Sequence, residues 1–118
     1  TMKGQYIRYS DYSIEQLREE LLKLKELALK AEQQGNISEV AVHERKMLIV
    51  QSYMLNPEEF RVGDIHEIKG DPGHQFKIND IEGIMAWGQR INLLGELYEK
   101  EEALPIAMLG DKIEKQQA

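Results

Sequence analysis

The hydrophobic period of this chain changes at Asn56-Pro57, and that change limits the fold more than any other feature. Before it, apolar residues recur at three and four, the spacing of an amphipathic helix. After it they alternate, the spacing of half-buried strands. Helices followed by short strands make an α+β chain rather than one in which strands and helices alternate. Pro57 sharpens the boundary, because its ring pushes Asn56 out of helical geometry.

The helical half carries its own start and stop signals. Ser13-Ile14-Glu15-Gln16 is a capping box, and Ile14, Leu17, Leu21, Leu24, Ala28 and Ala31 form one stripe behind it. Glu19 with Lys23 and Glu26 with Lys30 are i,i+4 pairs in the favourable order for a solvated face. Gly35 provides a left-handed stop, and Asn36 caps a second helix expected to run to about Leu55. Helices joined by so tight a turn must fold back antiparallel. The second helix has three apolar rows: Ile37/Ala41/Leu48/Leu55, Val40/Met47/Met54 and Val42/Ile49/Tyr53. A helix apolar on most sides is expected to be the most buried element. Leu22 and Leu29 form a spare row on the first helix, covered either by the rest of the chain or by a second copy in a homodimer.

In the other half, Ile65 to Ile68 reads as a strand and Gly70-Asp71-Pro72-Gly73 as a turn. Gln75 to Ile78 alternates, Asn79 to Gly83 turns, and Ile84 to Trp87 is a strand bent at Gly88. Leu104 to Leu109 is a last short strand or a single helical turn, and Ile91 to Glu102 a long loop or short helix. Short strands in such a space close economically as a small barrel. The expectation is an N-terminal antiparallel helical hairpin packed on a C-terminal SH3-like β-barrel. Its parts are an arm at 1–12, the hairpin at 13–56, the barrel at 57–111 and a polar tail at 112–118, in one compact unit.

Charge follows the same division. The 118 residues hold 15 Lys+Arg and 21 Asp+Glu, net −6. Residues 57–118 account for 7 of the basic and 13 of the acidic side chains, leaving 8 and 8 before them. The whole excess therefore sits on the expected barrel, which opposes polyanion binding. The absence of Cys removes thiol nucleophiles, disulfides and Cys-based zinc sites. Apolar runs reach only four residues, as at Met47 to Val50 and Ile84 to Trp87, against about 20 for a membrane helix. Nothing near Lys3 and Arg8 reads as a secretory signal. The expected setting is cytoplasmic, with no membrane partner.

Catalytic and cofactor signals are poor. Gly83 to Gly88 has phosphate-loop spacing, but Gln89-Arg90 stands where Lys-Ser/Thr is needed. Asp71 to Glu82 has calcium-loop length, yet Phe76 occupies the Gly position. His66 and His74, with Asp64 and Glu67, would hold zinc only if one strand register brought them together. His43 reads as a structural histidine. Ser13 is spent as a cap, and Ser52 lies nine residues from His43 rather than one turn. The paired glutamates at 19–20, 58–59 and 101–102 are sequence neighbours that point apart. No catalytic residue, cofactor or metal ligand is assigned. For partner contact the candidates are Tyr53, Phe60, Trp87 and Arg90 as an aromatic-and-Arg patch, with the basic pair Arg45-Lys46. Trp87 faces opposite Ala86, either into the core or onto the outer face.

A family resemblance rests on particular residues. They are Arg8-Tyr9-Ser10, Lys30-Ala31-Glu32-Gln33, and Glu39-x-Ala41-Val42-x-Glu44-Arg45-Lys46 in the helical half. Tyr53-x-Leu55-Asn56-Pro57, Gly83-x-x-Ala86-Trp87-Gly88 and Glu101-Glu102-Ala103-Leu104-Pro105-Ile106 continue them. Together they resemble the YfhH-like family over residues 8–109. The resemblance implies a small protein of Gram-positive spore formers, a helical hairpin on a partly open SH3-like barrel, and the family's label of transcriptional regulator. It implies no activity and no site. The expected function is a non-catalytic regulatory or interaction protein binding a protein partner through barrel or helix surface. The alternative is a regulator that binds nucleic acid.

Overall fold

Two caps set the helical hairpin. In the computed structural model, which describes residues 8–114, the Ser13 hydroxyl accepts the Gln16 N–H at 3.1 Å and the Gln16 side chain accepts the Ser13 N–H at 2.9 Å. This box starts α1 (Ile14–Gln33). Gly35 adopts φ 72°, and the Asn36 side chain accepts the Glu39 N–H at 3.1 Å to start α2 (Ile37–Tyr53). Leu17, Leu24 and Val50 form the buried centre of this unit, with Tyr9, Tyr12, Leu21, Met47 and Met54 packed on it.

The packed row of α2 shares Met47 and Met54 with one expected row but takes in Val50, which none of the three contains. It runs through His43, Met47, Val50 and Met54, and His43 is itself buried. A histidine inside the stripe hides its apolar period. Nor is α2 buried on most sides: Ile37 is 82% exposed and Val42 is also exposed. Ala41, Tyr53 and Leu55 are exposed as well, while Val40, Leu48 and Ile49 are half-buried.

The chain divides into two compact units between Met54 and Leu55. The second is a five-stranded antiparallel sheet: β1 (Ile65–Ile68), β2 (Asp71–Glu82), β3 (Met85–Ile91), β4 (Glu102–Pro105) and β5 (Leu109–Lys112). The spatial order is β4-β3-β2-β1-β5, so the last strand returns to pair with the first. A 3₁₀ turn, Ile106–Met108, joins β4 to β5. β4 and β5 are the two edges, and the sheet does not close. Its core comprises Ile68, Phe76, Ile78, Ala86, Leu104, Ile106 and Leu109.

Strand boundaries depart from expectation because β2 contains a bulge. The first turn lies at Gly70 (φ 79°), and Asp71-Pro72-Gly73 already belongs to β2. Asn79 to Glu82 continues the strand. Its register jumps from Ile78↔Gly88 to Asp80↔Trp87, leaving Asn79 unpaired. That extra residue resets the alternation and makes a continuous strand read as a strand and a turn. Gly88 lies inside β3 rather than at its end. A Cβ there would stand 1.9 Å from the Lys77 carbonyl oxygen, so only glycine fits. Leu104 to Leu109 supplies the end of β4, the 3₁₀ turn and the first residue of β5. Lys112, expected in the polar tail, is the last residue of β5, and residues 115–118 of that tail lie outside the described residues.

Candidate functional site

After β3 the chain must travel from Ile91 to Glu102 before pairing again, and the first part of that path is a built turn. Asn92 Oδ1 accepts the backbone N–H groups of Leu94 and Glu96, both at 2.9 Å. Asn92 Nδ2 donates to Glu96 Oε1 at 2.9 Å. The Asn92 backbone closes the ring, donating to Glu96 O at 3.0 Å and accepting from Gly95 N–H at 2.9 Å. Gly95 takes φ 81°, which an L side chain adopts only under strain. A short amide that bonds its own downstream backbone is the ordinary chemistry of asparagine in turns. Here it places Leu93 and Leu94 at the apex, 82% and 84% exposed.

The base of the turn is tied to the sheet. Ile91 bridges Leu97, and the Tyr98 N–H donates to the Arg90 carbonyl at 2.8 Å. Gln89 Nε2 donates to the carbonyls of Tyr98 and Glu99, at 2.9 and 3.2 Å. The Tyr98 hydroxyl lies 2.7 Å from His74 Nε2, with the rings edge to face at 5.3 Å. His74 Nδ1 lies 2.8 and 3.0 Å from the two oxygens of Asp71. An ionised carboxylate only accepts, so Nδ1 carries the hydrogen and Nε2 accepts from Tyr98; this tautomer is assigned from the network.

Asp71 also receives Arg90 Nη1 at 2.5 Å, and Arg90 Nε and Nη2 grip Glu102 at 2.8 and 3.2 Å. The hydrogen bond from His74, with Arg90 alongside, holds the Asp71 carboxyl below its ordinary pKa. The Glu102 hydrogen bond, ahead of the charges of Glu102 and Asp71, raises that of Arg90. Carboxylate, imidazole and hydroxyl in this order can activate a nucleophile. Asp71 and His74 do line the hollow of about 240 Å³ beside them, with Glu67, Ile68, Pro72 and Leu93 among its other walls, but Tyr98 does not. The Tyr98 hydroxyl holds the loop to β2. We read the arrangement as a latch.

The residues expected to touch a partner fall into both units. Arg45 and Lys46 are exposed on α2. Tyr53 ends α2, its ring 6.3 Å from that of Tyr9, whose hydroxyl pKa is raised by burial first and by Glu20 next. Phe60 packs on the core of the sheet unit, 5.4 Å from the His66 ring. Trp87 stands on the outer face, 36% exposed, while Ala86 is fully buried. Arg90 is committed to Asp71 and Glu102. The sheet therefore does not gather Phe60, Trp87 and Arg90 into one free patch.

The histidines are likewise separated. His66 pairs across from Phe76 and donates Nδ1–H to the Gly110 carbonyl at 3.0 Å, whereas His74 belongs to the latch. Among the described residues no group of three or more His, Cys, Asp or Glu is arranged for a metal. His43 Nε2 lies 3.3 Å from Glu39 Oε1, and the Ser52 hydroxyl donates to the Leu48 carbonyl at 2.7 Å. The apex leucines are the feature that sequence reasoning missed. Asn92 and Gly95 flanking Leu93-Leu94 were the available signal.

A helical hairpin unit followed by an open antiparallel sheet unit, with its apolar side chains offered on a turn, defines a small α+β protein. The chain belongs to the family described as "Protein of unknown function (DUF1811)", whose model matches residues 7–110. It is 39% identical over 105 residues to "Uncharacterized protein YfhH" of Bacillus subtilis (strain 168). That match covers 89% of this chain and 96% of the relative. The YfhH-like resemblance noted in the sequence is thereby supported.

Proposed function

We propose that this chain is a non-catalytic regulatory protein that binds a protein partner through the Leu93–Tyr98 turn. One observation carries the reading: two adjacent leucines stand almost fully in solvent on a turn whose backbone is pinned. Scattered exposed leucines are ordinary. Two at the apex of a hydrogen-bonded turn, with Leu97 and Tyr98 also exposed at its base, concentrate apolar surface in one short segment. Pinning also lowers the ordering cost that a flexible loop meets on binding. We infer further that the sheet unit is a partly open SH3-like barrel. The strand order and the 3₁₀ turn before β5 support this. An apolar turn on such a scaffold suits protein contact.

The test is affinity capture with the full chain immobilised in cell extract, with and without nuclease. A specific protein should be retained, survive nuclease, and be lost with the double substitution Leu93→Asn, Leu94→Asn. Both side chains are exposed, so circular dichroism of that variant should be unchanged. Capture that depends on intact nucleic acid would overturn the reading in favour of a nucleic-acid-binding regulator.

A further inference from the structure

The hollow beside Leu93 narrows what a protein partner must offer. Leu93 and Pro72 offer exposed side chains to it, Ile68 only borders it from the core, and the volume is about 240 Å³. Small-molecule sites run to about 300–1,000 Å³, so this one suits a single side chain better than a free metabolite. Its rim is acidic. Asp71 already has partners in His74 and Arg90, the latter shared with Glu102, but Glu67 is exposed and has no ion pair among the described residues. The unit around it carries the chain's whole negative excess.

Resting on the protein-binding reading, we propose that this hollow receives an apolar side chain of the partner, flanked by a lysine or arginine that pairs with Glu67. The apolar side chain packs against Leu93 and Pro72, and the cation meets the open carboxylate. Phosphate-bearing ligands meet two carboxylates here. A second copy of this chain brings its own Glu67 and Asp71 to the same place, so like charges oppose self-association through this face.

Selection of short random peptides displayed on phage, against the immobilised full chain, tests this directly. Enriched peptides should share an apolar residue adjacent to lysine or arginine. Labelled copies, followed by fluorescence polarisation, should bind Glu67→Lys about tenfold more weakly, since an attractive pair becomes a repulsive one. Leu93→Ser should lose a comparable factor, Arg45→Glu should lose none, and binding should weaken as salt is raised. Amide spectra of each variant check that the fold persists. Failure to enrich any peptide, or enrichment of acidic or uncharged peptides, overturns the proposal. So do peptides that bind both hollow variants unchanged, though these leave the protein-binding reading standing. That reading falls separately, if the capture experiment retains no protein or only nucleic acid.

Discussion

Gly88 is where one missing methyl decides how two strands meet. A Cβ would lie 1.9 Å from the Lys77 carbonyl oxygen and 2.9 Å from Cε2 of Phe76, a ring that is fully buried. Neither neighbour can yield: one is backbone, the other the centre of the core. Gly88→Ala should therefore destabilise the sheet unit by at least about 1–3 kcal/mol, the range for overpacking a core. Urea denaturation should show a lower midpoint at unchanged slope. A midpoint within error of the parent's would mean that β2 and β3 can separate there. The sequence marks Gly88 as special but for another reason, a bend, because steric approach depends on register. The same limit governed the histidines. His66 lies opposite Phe76, while His74 falls in the irregular stretch between Glu67↔Gln75 and Ile68↔Asp71, and nothing local encodes that register.

Among the elements, α1 and the hairpin were the most legible, because capping and turn chemistry act within a few residues. The Ser13 box, Gly35 and the Asn36 cap all lie where their residue types demand. α2 was harder, since His43 breaks the apolar row that packs and the exposed Ile37 and Val42 imitate other rows. Core truncations rank the difference. Leu24 is buried in the hairpin core and should cost about 2–5 kcal/mol on change to Ala. Leu48 is only half-buried, and Leu48→Ala should cost clearly less. Equal losses in paired chemical denaturations would show that Leu48 is as deep in the core as Leu24. The Leu93-Leu94 turn was illegible for a related reason. Its backbone geometry comes from Asn92 and Gly95, while the two leucines between them equally suit a short helix. Composition cannot distinguish an apolar pair meant for display from one meant for burial.

For the molecule as a whole, the open question in the sequence was where Leu22 and Leu29 go. They are 61% and 56% exposed, so they are not core. Their face of α1 also carries Arg18, Lys25 and Glu26, all exposed. A stable interface buries about 800 Å² on each partner, and two leucines among charged side chains cannot supply its apolar centre. The chain is therefore expected to be a monomer of 13.7 kDa at micromolar concentration, measured by light scattering. Leu22→Glu with Leu29→Glu should leave both mass and stability in place, the latter within about 0.5 kcal/mol, as for other surface changes. A mass near twice the monomer's that falls to the monomer's in the double variant would instead make this row a two-fold homodimer interface. Unfolding of the variant without any dimer in the parent would mean that the leucines are packed in solution, contrary to their exposure on α1.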